Sequence, residues 1–281
     1  MSFFDNYKYG CFLRNHCGVG NEFLKNAVPF ETSHCGDEKL TLPPNGVRKL
    51  SFKISHHAKF VTKTKNATKI YNLHVNKFDD FLSSITTTQK CHSLQNITMN
   101  HKDISINDYI VKVIPARTWI DVHTAEKELH MTDMVYKSTY NGLRGSDIVC
   151  KPFFGCLFWS GKKWKYVSVF EKAKGVSMST IQKPKLFGKG YDKSRLLESV
   201  MEAVQTLWIL GYAHNDLYDA NLCYDSKTNK VRIIDFEMAV KLPSHTVDKL
   251  RSSLEDFKQC GKEVTAQVTE EYCNNFARVF Y

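Results

Sequence analysis

The run His214-Asn-Asp-Leu-Tyr-Asp-Ala-Asn221, followed fourteen residues after Asn221 by Asp235 at the end of Ile233-Ile-Asp, narrows the folds open to this chain more than any other feature. Upstream, Leu196, Leu197, Val200, Met201, Val204, Leu207, Trp208 and Leu210 recur at helical spacing. Ser194–Leu210 therefore reads as an amphipathic helix, begun by Asp192 or Ser194 and ended by Gly211. Downstream, Leu222–Tyr224 and Val231–Ile234 read as short strands around a turn at Asp225–Lys230. A hairpin there returns the chain, so Asp216, Asn221 and Asp235 converge. Such a set suits phosphoryl transfer. One carboxylate orients a hydroxyl, and the other holds Mg²⁺ together with an amide oxygen, against the charge of the phosphates.

The first half reads as sheet-rich. Lys49–Val61 alternates loosely, and Phe81–Thr87 and His92–Met99 are strand candidates. Asp108–Pro115 alternates faces and stops at a proline, which has no N–H for a ladder. Asp121–Lys137 is a helix with Asp121 or Thr124 at its start. Pro152–Trp159 and Trp164–Phe170 flank a turn at Ser160-Gly-Lys-Lys163. Beyond residue 240, helical patterns cover Thr246–Lys258 and Val264–Phe280. A sheet-rich half followed by a helix-rich half predicts an α+β, two-lobed protein with a cleft between its lobes.

His-x-Asp-Leu-x-x-x-Asn with a following Ile-Asp-Phe resembles the protein-kinase-like superfamily. The resemblance covers roughly residues 81–261 and is concentrated in 204–239. It implies a sheet-rich N-lobe over 81–171 and a shortened helical C-lobe over 172–281, with 1–80 as an N-terminal extension. It implies ATP and Mg²⁺ as cofactors, with Asp216 catalytic, Asn221 and Asp235 as metal ligands, and His214 bracing the loop. Lys112, mid-strand in Val-Lys-Val, then takes the role of the lysine that holds the α and β phosphates, paired with a helix glutamate. Glu128 is preferred as that partner, because Met131 and Val135 follow it at i+3 and i+7; Glu126 is the alternative. Val167-Ser-Val-Phe-Glu-Lys-Ala-Lys-Gly175 resembles the interlobe hinge, with Phe170 behind the nucleotide and Glu171 and Ala173 offering main-chain groups to adenine. Asp256-x-x-x-x-Gly261 echoes the helix whose Asp buttresses the catalytic loop.

The chain departs from the family in three places. No glycine lies between Gly46 and Gly142, so the phosphate-covering loop, counted back from Lys112 to Thr86–His92, has none. Tyr218 stands two residues after Asp216, where Ser/Thr protein kinases carry lysine. Glu237 replaces the Gly of Asp-Phe-Gly, as in choline-kinase-like and aminoglycoside-kinase-like enzymes. Forty-four residues follow Glu237, which favours a compact, viral or effector-type Ser/Thr kinase over a small-molecule kinase. The missing glycines and Glu237 instead suit a pseudokinase binding module.

Composition bounds the remaining classes. With 42% hydrophobic and 24% charged residues, the 281-residue chain is not a disordered one. No uncharged apolar run reaches the ~18 residues of a membrane span, and no secretory signal opens the sequence. Nine cysteines, an odd number without a Cys-x-x-Cys pair, read as reduced thiols in an intracellular protein. Cys11, His16, Cys17, His34 and Cys35 fit no familiar zinc spacing. The net charge of +10 suits an anionic partner, with an acidic protein surface as the candidate beside nucleotide. A nucleic-acid role rests on that charge alone, so nucleic acid ranks last among partners.

Overall fold

The computed structural model describes residues 54–64, 67–81, 84, 108–159, 163–181, 193–248 and 251–252. The fold is α+β, built on antiparallel sheets. It divides into two compact units. Among the described residues, one comprises 54–133 together with Cys150–Lys172, and the other comprises Met134–Val149 and 173–252.

The first unit carries a five-stranded sheet. Its strands are β1 (Ala58–Lys63), β2 (Lys69–Leu73), β3 (Tyr109–Pro115), β6 (Pro152–Trp159) and β7 (Trp164–Glu171), in the order β1-β2-β3-β7-β6. β3 alternates as its sequence predicts. Tyr109, Val111 and Val113 are buried on one face, in a core with Leu73, Phe78, Phe81, Phe153, Phe154, Val167 and Val169. The other face packs on helix α1 (Trp119–Lys137) through Ala116, Val122, Ala125, Leu157 and Tyr166. That helix starts two residues before the expected position. Thr118 and Asp121 form a reciprocal cap, in which Asp121 Oδ2 accepts from the Thr118 N–H at 3.0 Å and Thr118 Oγ1 accepts from the Asp121 N–H at 3.4 Å.

Two expected strands are otherwise. Phe81 is helical, within 78–81, and fully buried, while Ile54–His56 is a 3₁₀ turn that delays the first strand to Ala58. In both places apolar side chains pack onto the sheet from outside it, a use that alternation alone does not distinguish from a strand. β1 and β2 lie before residue 81 yet bond into the same sheet as β3, so the sheet runs across the boundary expected at residue 80. His92–Met99, Ser160–Lys162, Val264–Phe280, Asp256, Gly261 and the Cys/His group of 11–35 lie outside the described residues.

In the second unit, β4 (Thr139–Tyr140) and β5 (Leu143–Arg144) form a small hairpin, and β8 (Val176–Ser177) leads into the short helix α2 (Met178–Ile181). Helix α3 (Lys193–Ile209) buries Leu196, Val200, Val204, Leu207 and Trp208, the face its periodicity marks. It ends as expected at Gly211, whose φ of 94° is left-handed and whose N–H bonds Trp208 O at 2.9 Å. β9 (Tyr212–Ala213) follows, then β10 (Leu222–Asp225) paired with β11 (Lys230–Ile233), and β12 (Val240–Lys241) paired back on β9. Residues 244–248 and 251–252 are helical. Among the described residues no helix is long and apolar enough to cross a membrane.

Candidate active site

The β10–β11 hairpin sets the geometry. Leu222 pairs with Ile233, so the residues just outside the pair, Asn221 and Ile234, meet, and the Ile234 N–H donates to Asn221 O at 3.0 Å. β11 is held from its other side. The Ile233 N–H donates to Ile148 O at 2.7 Å, and Arg232 Nη1 donates to the carbonyls of Ser146 and Val149. Asp235 thus leaves a well-anchored strand. It turns at once into a 3₁₀ turn (Phe236–Met238) with φ 72° and ψ 66°, a left-handed conformation that Asp tolerates better than most residues.

His214 ties the preceding loop to that strand end. Its ring is fully buried. Nε2 lies 3.0 Å from Ile234 O and Nδ1 accepts from the Asp216 N–H at 3.3 Å, an arrangement that requires the neutral Nε2–H tautomer. The ring also meets Phe236 edge-on, with centroids 4.8 Å apart. Asn215, left-handed at φ 63°, adds a second tie from Nδ2 to Met238 O at 3.3 Å.

Within this frame Asn221 and Asp216 are joined directly. Asn221 is buried, and its Nδ2 donates to Asp216 O at 2.9 Å and Asp216 Oδ2 at 3.3 Å. Burial pushes the Asp216 carboxyl above the usual range, and the charge of Asp235 pushes it further in the same direction. The Asn221 hydrogen bond opposes both. Tyr218 is raised as well, by burial first and then by Asp216, Asp235, Asp219 and Glu237. Asn221 and Asp216 are therefore in contact, and the charge of Asp235 acts on Asp216. Among the described residues no group of three or more His, Cys, Asp or Glu side chains is placed to hold a metal ion.

The other predicted residues belong to the first unit, apart from Ala173, which opens the second. Lys112 sits mid-strand in β3 and Glu128 on α1, and Lys112 Nζ pairs with Glu128 Oε1. Both side chains are shielded, at 15% and 4% exposure. Glu126, the alternative partner, lies 3.6 Å from His123 Nδ1 one turn back. Met131 and Val135 are buried, which matches the packing argument for Glu128. Lys112 Nζ also stands 5.7 Å from the centre of the buried Phe170 ring. Glu171 ends β7, its N–H bonded to Lys151 O at 2.7 Å.

Thr86–His92 lies outside the described residues. The connection that adjoins the lysine strand in the sheet is instead the one between β1 and β2, of which Thr64, Ala67 and Thr68 are described. It is closed by Thr64 N–H to Thr68 O at 2.9 Å and Ala67 N–H to Thr64 O at 3.1 Å, with Ala67 left-handed at φ 65°. Ile70 on β2 pairs with Lys112 on one side and Thr62 on the other. The sequence signal for it was Thr-Lys-Asn-Ala-Thr between two short alternating runs, a polar turn composition without glycine.

No protein-family model matches the chain, and no curated protein matches its sequence.

Proposed function

We propose that the chain is an ATP- and Mg²⁺-dependent phosphotransferase of the protein-kinase-like type, acting on a protein Ser/Thr hydroxyl. The observation that carries this reading is the joined set Asp216–Asn221–Asp235, braced by the neutral His214. In this reading the five-stranded unit is the N-lobe, the other unit the C-lobe, and the chain an intracellular enzyme.

The donor set fits a divalent cation. The charge of Asp235 raises the cost of ionising Asp216, a tension that positive charge relieves. Asn221 spends its amide nitrogen on Asp216, which leaves Oδ1 for a hard cation. Asn221 and Asp235 would hold Mg²⁺, which when bound neutralises charge on the nucleotide phosphates. Asp216 accepts a hydrogen bond from the acceptor hydroxyl and takes up its proton. Its raised pKa moves it toward the range a general base needs. Lys112, held by Glu128, would hold the α and β phosphates, and Phe170, Glu171 and Ala173 would border the adenine. We assign the phosphate-covering role to Thr64, Ala67 and Thr68, with Thr hydroxyls and backbone N–H groups in place of glycine.

A second reading, a small-molecule kinase, is favoured by one feature. Four carboxylates act on the Tyr218 hydroxyl, an environment suited to a cationic amino alcohol or aminoglycoside. Incubation with labelled ATP and Mg²⁺, with a protein acceptor in one arm and choline, aminoglycosides and sugars in another, separates the two. Asp216→Ala and Asp235→Asn should abolish label transfer while keeping wild-type far-UV dichroism. Transfer by either variant at the wild-type rate refutes the assignment. Mg²⁺-dependent thermal stabilisation by ATP without transfer to any acceptor identifies a pseudokinase.

A further inference from the structure

The second unit carries a cleft that the phosphotransfer reading does not use. Its volume is about 220 Å³, and it lies between helix α3, the start of β11 and the segment Gly142–Ile148. All of these belong to the second unit. The cleft borders the turn end of the β10–β11 hairpin, where Asp225 pairs with Lys230. Asn221 and Asp235 flank the other end, where Leu222 pairs with Ile233.

The helix makes the space. Leu196, Val200, Val204 and Leu207 fill the core side of α3. Ser199, Ala203 and Thr206, at i, i+4 and i+7, instead bring small side chains to the cleft. With Ile148 and Val231 they form its buried floor. Thr206 is 5% exposed, yet its hydroxyl has no hydrogen-bond partner among the described residues. A hydroxyl buried to that degree normally has one, so it points to a molecule bound in the cleft. Ser199 Oγ lies 2.7 Å from both Arg195 O and Asn229 O. A hydroxyl has one proton, so Asn229 O is open to a second donor.

The rim selects the class of ligand. Glu202 and Lys230 are exposed, and neither has an ion-pair partner among the described residues. Arg144 is already held by Asp147, with Nε 3.2 Å from Oδ2. The unmatched charges are therefore one carboxylate and one ammonium. A simple anion would be opposed by Glu202 and a simple amine by Lys230, whereas a zwitterion matches both. The volume equals that of about seven waters, which limits the ligand to a compact molecule. We propose that this cleft binds a free α-amino acid with a short aliphatic side chain. Its ammonium meets Glu202 and Asn229 O, its carboxylate meets Lys230, and its side chain lies over Ile148, Ala203 and Val231. The Thr206 hydroxyl is a further polar contact from the floor. The inference does not depend on the phosphotransfer reading.

The test is a saturation-transfer difference NMR titration of L-valine against the full-length chain. A ligand of this size should bind with a Kd of about 1 mM, so the titration runs to about 20 mM. Isobutylamine lacks the carboxylate, isovalerate lacks the ammonium, and N-acetylvaline N-methylamide lacks both charges. Each should bind at least about five-fold more weakly than valine. Glu202→Gln and Lys230→Gln should each weaken binding by at least about three-fold. Thr206→Val should weaken it by about three-fold or more, without lowering the melting temperature, because the protein loses no hydrogen bond of its own. Far-UV dichroism verifies that the three variants fold. Absent saturation transfer at the highest concentration overturns the proposal and leaves the cleft to water alone. Equal affinity for any of the three analogues, or unchanged affinity in Glu202→Gln or Lys230→Gln, overturns it as well. So does a Thr206→Val variant that melts lower and binds valine as wild type does, which would make that hydroxyl a structural group.

Discussion

Removing the carboxylate of Glu128 should destabilise the first unit far more than removing a surface carboxylate. Lys112 and Glu128 are 15% and 4% exposed, so water does little to replace either partner. Truncating one member of such a pair breaks an ion pair that water cannot replace, which costs about 3–5 kcal/mol. That is a large part of the 5–15 kcal/mol that stabilises a typical domain. The Arg144–Asp147 pair is the internal control. It is 63% and 37% exposed, and Asp147→Ala should cost no more than about 1 kcal/mol. The decisive variant is the double one. Lys112→Met with Glu128→Leu removes both charges and keeps apolar volume, so it should recover stability to within about 1 kcal/mol of wild type. Urea unfolding followed by tryptophan fluorescence measures all four proteins, and hydrogen exchange of the β3 amides localises the loss. The reasoning fails if Glu128→Ala costs under about 1 kcal/mol, as for an exposed pair. It also fails if the double variant is as unstable as the single one.

Two further outcomes follow from the second unit. Asp235→Asn should lower the Asp216 titration midpoint, measured by carboxyl carbon NMR, yet leave it above the ordinary value because burial, the larger cause, remains. A folded-state pKa above the unfolded 3.8 means that this group's stabilisation is complete below 3.8 and lost as pH rises through the raised value. Asp216→Asn should flatten that fall in melting temperature, and an unchanged pH profile would count against the coupling. Gly175→Ala should be costlier than Gly142→Ala. Both glycines have positive φ, 88° and 81°, worth about 1–2 kcal/mol with a Cβ. A Cβ at Gly175 would also lie 2.0 Å from Tyr224 O, adding about 1–3 kcal/mol, whereas nothing lies within 4 Å at Gly142. Equal losses of melting temperature in the two variants would rule out the close contact.

Much of the candidate site was legible in the sequence because its chemistry is local. Asp216, Asn221 and Asp235 lie within twenty residues of one another, and one hairpin of readable strands and a polar turn brings them together. Lys112 and Glu128 sit sixteen residues apart on a strand and a helix whose periods are clear, so their faces could be anticipated. Two facts had no such local source. Phe81 shows strand-like surroundings in sequence but is helical, because it fills the core from outside the sheet. The left-handed Asn215 and Asp235 are set by contacts that no residue pattern specifies, and for His214, whose bracing role the motif implied, only the structure gives the partner, Ile234 O.

By itself the sequence determined the local periods: which face of β3, α1 and α3 is apolar, where Pro115 and Gly211 end their elements, and that a hairpin returns Asp235 to Asn221. Only the tertiary structure decided which strands become neighbours. β2 joins β3 across more than thirty intervening residues, and that choice brings the β1–β2 connection, with Thr64 and Thr68, next to the lysine strand. Strand pairing is a long-range contest over which apolar face is buried. Leu73 and Tyr71 prevail by packing on the cluster around Phe78 and Phe81. An alternating run shows that a residue has a buried side, but not which strand it will lie against.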